Sequence, residues 1–320
     1  MRRVINCLRK PNNEQLIELL IGLIPQWLVV RICDSLAPRV KPGVRNDLPR
    51  LIVNKLSKYY INNRVPFEVC SVPEMGKLVL PTSDNHYGKR KFGVMHPARL
   101  LNQIEDIVQE GETVCELGPH LGEMMLFLRN LVGHSGKVYA FEMDQTYYKF
   151  LNWTINENLF KNCIVENKAI YNLNKTIDVG DGYCDYAKWI DNFPELSIAL
   201  YLGTSYFTNT PQSWNESETK DLSSIFDTEL RKSTKIQTIE LFDYFKNLDP
   251  VDLFFMDIEG AEIFAIPSII KLGNHWGTKP KIVFEYHLTY SGEQLRYMRE
   301  TLLDNKYKLY SPDKRHVFAM

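Results

Sequence analysis

Between Pro97 and Ala169 short apolar runs alternate with amphipathic stretches, and this alternation leaves the chain few architectures to choose from. Pro97 suits a first helical position, and Leu100, Leu101, Ile104, Ile107 and Val108 recur on one face of the helix it would open. Thr113 to Leu117 then reads as a buried strand, Leu121 to Val132 as a helix, Val138 to Glu142 as a strand, Asp144 to Asn158 as a helix and Ile164 to Ala169 as a strand. Strands that are apolar throughout, rather than at alternate positions, are covered on both faces, and the intervening helices supply the cover. The expected fold class is therefore α/β, a parallel sheet with helices on both faces, whose ligands collect beyond the carboxyl ends of the strands.

The rhythm stops at about residue 177 and resumes after 233. The intervening stretch is polar and rich in aromatic residues, among them Tyr183, Trp189, Tyr206 and Trp214, and it exceeds an ordinary loop. It reads as an insertion near the carboxyl edge, serving as a lid or substrate wall or simply as packing. A helix at Leu241 to Asn247, a strand at Val251 to Asp257, a helix at Ala261 to Leu272 and a strand at Lys281 to Tyr286 follow. Ser291 and Gln294 form a capping-box signature for one more helix. Tyr307 to Tyr310 and Arg315 to Ala319 flank a Ser-Pro-Asp-Lys turn, so a hairpin is expected to close the sheet.

Residues 1 to 95 read as a mainly helical extension or cap, with helical patterns at Glu14 to Leu36 and Leu48 to Tyr60 followed by short extended pieces. The core domain is expected at 96 to 320. The first hundred residues hold 17 Lys and Arg against 7 Asp and Glu, and the remainder 21 against 32, although the net charge of the chain is only -1. A solvated or mutually docked pair of faces accounts for this; a surface that meets phosphate, acidic lipid or an anionic glycan is the sharper alternative. The uncharged run from Leu19 to Val30 is too short for the ~20 residues of a bilayer span and contains Pro25. Packing on the main domain is expected of it, with peripheral membrane contact through residues 1 to 36 as the alternative. Six cysteines without a CxxC pair or zinc-ligand spacing point to the reducing cytosol, so a cytoplasmic protein is expected.

The loop after the first core strand reads Glu116-Leu117-Gly118-Pro119-His120-Leu121-Gly122. Glycines there let backbone approach a ligand, and the helix start offers N–H groups to a carboxylate. The four-residue spacing of Gly118 and Gly122 is not that of the dinucleotide fingerprint. Glu142 stands at the tip of the next strand, followed by Met143, where a carboxylate can accept both hydroxyls of a ribose.

With VCELGPHLGE and GKVYAFEMD, the segments LNWTINEN, NKAIYN, VDLFFMDIEGAE and KIVFEYH make the chain from about Leu100 to Tyr286 resemble the FkbM family of S-adenosylmethionine-dependent methyltransferases. The resemblance implies the seven-stranded, Rossmann-like methyltransferase sheet. It also implies methyl transfer from S-adenosylmethionine to a hydroxyl oxygen of a small acceptor, a sugar or glycan. Carried over by position, Glu116, Gly118, His120 and Gly122 belong to the methionine end, Glu142 and Met143 to the ribose, and Asn167, Lys168 and Ala169 to the adenine edge. Asp257 is expected against the cofactor's amino group or the acceptor hydroxyl, with Glu285 or His287 as proton acceptor. Asp257, Glu285 and His287 would also suit a divalent cation, which is not the favoured reading. Pro119-His120 departs from the Ala-Asn pair common in the family and removes a backbone donor. An RNA methyltransferase, supported only by Lys89, Arg90 and Lys91, and a catalytically silent binding module are the other readings.

Overall fold

The computed structural model describes residues 24–36, 48–57, 67–72, 75–82, 84, 86–179, 234–258, 260–286, 290, 292–313 and 315–320. In chain order the elements are α1 (Gln26–Leu36), α2 (Leu48–Ser57), β1 (Phe67–Val72), β2 (Gly76–Pro81), α3 (Tyr87–Lys91), α4 (Ala98–Ile107), β3 (Thr113–Leu117), α5 (Glu123–Val132), β4 (Lys137–Phe141) and α6 (Gln145–Asn158). They continue as β5 (Cys163–Glu166), β6 (Lys168–Ile170), β7 (Lys175–Val179), β8 (Thr234–Ile239), α7 (Leu241–Phe245), β9 (Leu253–Met256), α8 (Glu262–Trp276), β10 (Lys281–Glu285), α9 (Gly292–Asp304), β11 (Leu309–Tyr310) and β12 (His316–Ala319). Most of the expected insertion, Ser291 and residues 1 to 23 lie outside the described residues.

The chain forms two compact units. One contains the described residues up to Ile107 together with Leu121–Phe127 and Trp153–Leu159. Its short extended pieces are an antiparallel hairpin, β1 against β2, in register from Phe67↔Pro81 to Val72↔Gly76. Polar side chains of α6 cover backbone donors of β2: Thr154 Oγ1 accepts from Val79 N at 3.0 Å and Asn158 Oδ1 from Lys77 N at 2.8 Å. α4 buries Leu100, Leu101 and Ile104, the face the periodicity selects. Arg90 is buried and paired with Asp84 at 3.1 Å and with Glu123, itself buried at the start of α5. The guanidinium thus carries two carboxylates, an arrangement that offsets the desolvation of all three charges.

The other unit contains Val108–His120, Leu128–Asn152 and the described residues from Phe160 onward. Its main sheet has the order β11-β12-β10-β9-β3-β4-β5. The five strands β10, β9, β3, β4 and β5 are parallel, and β12 enters antiparallel beside β10 as the expected hairpin strand. All four residues of the central β9 are buried. Phe245 of α7 packs edge-on to Tyr139, Phe141 and Phe254, with ring centres 5.1, 5.9 and 5.9 Å away. Edge-to-face geometry adds electrostatic attraction to the area these rings bury.

The third core strand differs from its expected form. The run from Ile164 to Ala169 is divided at Asn167: β5 ends at Glu166 in the main sheet, and β6 starts at Lys168 in a second sheet, β6-β8-β7. The physical reason is visible at the break, where the Asn167 amide donates to the carbonyls of Glu142 and Met143 at 2.8 and 3.0 Å. Among the described residues no helix is long and apolar enough to cross a membrane.

Candidate functional site

The parallel strands bring the selected residues to one edge. Backbone pairing runs past the strand ends: Gly118 N donates to Phe141 O at 3.0 Å, Asp257 N to Leu117 O at 3.0 Å, and Glu142 N to Glu166 O at 3.0 Å. The tips of β9, β3, β4 and β5 are therefore one ladder, carrying Asp257, Gly118 and Glu142 on successive strands. Gly118 has φ +81°, and a Cβ there would lie 2.1 Å from the Asp257 carbonyl oxygen. Both facts demand glycine, so this position is dictated first by the close approach of two strand ends. Gly122 follows with φ +93°, and its carbonyl accepts the first-turn N–H of Leu126 at 3.0 Å. His120 also lies in left-handed space, φ 51°, with its ring 3.8 Å from that of Tyr147, centre to centre. Glu116 is buried at the end of β3.

Glu142 is 6% exposed. Its Oε2 accepts from His120 N at 2.9 Å and its Oε1 from Asp144 N at 2.8 Å. Burial is the dominant influence on its carboxyl, which is pushed up to about 8; the neighbouring Asp144 charge adds to the rise and the backbone donors oppose it. The Met143 backbone N–H is a third donor to this carboxyl, so three backbone groups from two loops hold it. A carboxylate at a strand tip can accept hydrogen bonds from ribose hydroxyls, so the group fits a ribose. Asp144 caps α6, accepting from Tyr147 N at 3.0 Å. Asn167 spends its amide donors on the carbonyls that flank this turn, which fixes the turn from behind. The Lys168 amine meets Glu166 at 3.2 Å and the Tyr244 ring at 5.2 Å, and Ala169 is buried in β6.

The acidic cluster after β9 separates by role. Glu262 is fully buried and accepts from Ile258 N at 3.0 Å, Gly260 N at 2.8 Å and the Tyr290 hydroxyl, so it closes the turn that starts α8. Glu285, at the end of β10, is buried and paired with Arg315. Its strand partner is His316, a residue that the sequence pattern marks only as part of a hairpin. His287 and Glu259 lie outside the described residues. Among the described residues no three His, Cys, Asp or Glu side chains converge as a metal site.

A seven-stranded sheet of this order, parallel except for a strand inserted antiparallel near one edge, is the Rossmann-like sheet of S-adenosylmethionine-dependent methyltransferases. The methyltransferase FkbM domain matches residues 117–309, more than half of the chain, and the chain belongs to that family of S-adenosylmethionine-dependent methyltransferases. No curated protein matches it in sequence. Among solved structures it is similar to fibrillarin of Aeropyrum pernix in complex with S-adenosyl-L-methionine, at 10% identity over 67% of this chain and 68% of that one, TM-score 0.35. It is similar also to a SAM-dependent methyltransferase of Aquifex aeolicus, at 16% identity over 70% and 93%, TM-score 0.34. A SAM-dependent O-methyltransferase of Thermotoga maritima matches at 14% identity over 79% and 77%, TM-score 0.36. Likenesses of this size carry nothing about the acceptor.

Proposed function

We propose that the enzyme methylates a hydroxyl oxygen of a small molecule, a sugar or glycan, and that the edge formed by the tips of β3, β4 and β9 holds S-adenosylmethionine. In this reading Glu142 accepts the ribose hydroxyls, with Met143 beside it. Glu116, Gly118, His120 and Gly122 form the loop at the methionine end, and Asn167, Lys168 and Ala169 border the adenine. Asp257 faces the cofactor's amino group or the acceptor. When bound, the cofactor supplies an electrophilic methyl group on a sulfonium. The chain's own part is to hold acceptor oxygen and methyl carbon in line and to take the hydroxyl proton at the Glu285 end of the edge.

The observation that carries this reading is the Glu142 carboxylate. It is buried at the tip of β4 and anchored by the backbone N–H groups of His120, Asp144 and Met143. A carboxyl buried at a strand tip is costly, and a ligand that donates to it offsets that cost. Calorimetric titration with S-adenosylhomocysteine tests the assignment: Glu142→Ala is expected to weaken binding by about 1 to 3 kcal/mol. Unchanged affinity in a folded variant would remove Glu142 from the site.

A further inference from the structure

The carboxyl edge continues past Asp257 onto two more strands. Phe284 of β10 pairs with Met256 of β9, so Glu285 stands level with Asp257, and His316 of β12 is the register partner of Glu285. Asp257, Glu285 and His316 thus occupy successive positions at the strand spacing of ~4.8 Å. β12 runs antiparallel, which is why its first residue rather than its last reaches this edge.

His316 is 4% exposed and held by Asp313. Asp313 Oδ1 accepts the backbone N–H groups of Arg315 at 2.7 Å and His316 at 2.8 Å, and Oδ2 lies 2.9 Å from His316 Nδ1. Against the opposing effect of burial, those backbone donors and the His316 ring hold the Asp313 carboxyl below its ordinary value. An ionised carboxylate can only accept, so the ring proton is on Nδ1 and Nε2 presents a lone pair. Burial lowers the imidazole below its ordinary value and keeps it neutral, although Asp313 and Asp257 pull the other way; Arg315 adds to the lowering. Nε2 lies 3.9 Å from Glu285 Oε2. That is too long for a hydrogen bond, and both atoms are acceptors. A hydroxyl oxygen ~2.8 Å from Nε2 could donate its single proton there.

We propose that His316 is the catalytic base of the methyl transfer, taking the acceptor's hydroxyl proton on Nε2, with Asp313 as the residue that positions it and sets its tautomer. The proposal rests on the hydroxyl-acceptor reading given above. As the acceptor O–H bond breaks, an N–H bond forms on Nε2 and the resulting imidazolium stays paired with Asp313. The acceptor oxygen bonds the methyl carbon while the carbon–sulfur bond breaks, and its electron pair remains on sulfur. The arrangement follows the acid–base logic in which a carboxylate orients an imidazole without accepting its proton.

The test uses the full chain, S-adenosylmethionine labelled in the methyl group, and a pool of methyl hexopyranosides and sugar alcohols as acceptors. Asp313→Asn keeps an oxygen for the two backbone donors and turns an NH₂ toward Nδ1, which forces the ring proton onto Nε2. Imidazole ¹⁵N shifts of His316 are expected to report that inversion. Label transfer should fall at least ~100-fold, and binding of S-adenosylhomocysteine should stay within about twofold. His316→Gln, checked for folding by the same binding measurement, should lose transfer to a similar extent. Retained transfer with an inverted tautomer, or in His316→Gln, overturns the proposal. If the wild type binds S-adenosylhomocysteine and labels nothing in the pool, the hydroxyl reading itself fails and the base assignment fails with it.

Discussion

With Glu142 as the proposed ribose acceptor, cofactor binding should be coupled to proton release. In the free protein its carboxyl titrates at about 8, against an ordinary value of 4.5, because burial disfavours the charge. A site at that value is roughly nine-tenths protonated at pH 7. Two ribose hydroxyls donating to it favour the ionised form, so binding at pH 7 should expel about 0.9 proton, and apparent affinity should rise about tenfold between pH 7 and pH 9. The suitable ligand is 5′-methylthioadenosine, which keeps the ribose and lacks the amino-acid group that titrates in the same range. Calorimetry in phosphate and in Tris at one pH gives the proton count from the difference in apparent enthalpy. Glu142→Gln should abolish both the buffer dependence and the pH slope. The same shift fixes the sign for the free protein. The folded value lies above the unfolded one, so this group's contribution is fully present below about pH 4.5 and is lost as pH rises through about 8. Buffer-independent enthalpies together with affinity flat from pH 7 to 9 would refute the argument.

Gly118→Ala is expected to lose cofactor binding and to cost about 1 to 3 kcal/mol in backbone strain alone, since φ is +81° and the new Cβ would meet the Asp257 carbonyl; urea denaturation measures it. Arg90→Ala leaves the buried Glu123 and the half-buried Asp84 without their common cation, and a loss of about 3 to 5 kcal/mol is expected in the same assay.

The core strands were legible because each is a short, mainly apolar run bounded by turns, so that burial on both faces is written locally. The division at Asn167 was not. It depends on an amide reaching the carbonyls of Glu142 and Met143, residues more than twenty positions earlier, and on a partner strand, Thr234–Ile239, beyond the long insertion. Glu142 could be selected because a carboxylate at the tip of an apolar strand has no packing role. His316 could not, since a histidine in a hairpin carries no signal until the antiparallel turn sets it beside Glu285. The ion-paired triad of Arg90, Asp84 and Glu123 was hidden for the same reason: its buried basic member sits in Lys89-Arg90-Lys91, which reads as surface charge.

The edge is built mainly from backbone, and this decides which substitutions it should feel. Gly118 N, Asp257 N and Glu142 N extend the ladder one step beyond β3, β9 and β4, and the turn after β4 is held by Asn167 against two carbonyls. The Met143 and Lys168 side chains hold none of these bonds; the Lys168 amine is taken up by Glu166 and the Tyr244 ring. Positions whose contribution is a peptide group tolerate a change of side chain that keeps the strand conformation, whereas Gly118, Glu142 and Asn167 each supply something no other residue type offers there. On the proposed reading, a cradle assembled this way should keep its cofactor under extensive change at neighbouring positions. On the same reading the acceptor should be set by the strands farther along the edge, which carry Glu285 and His316.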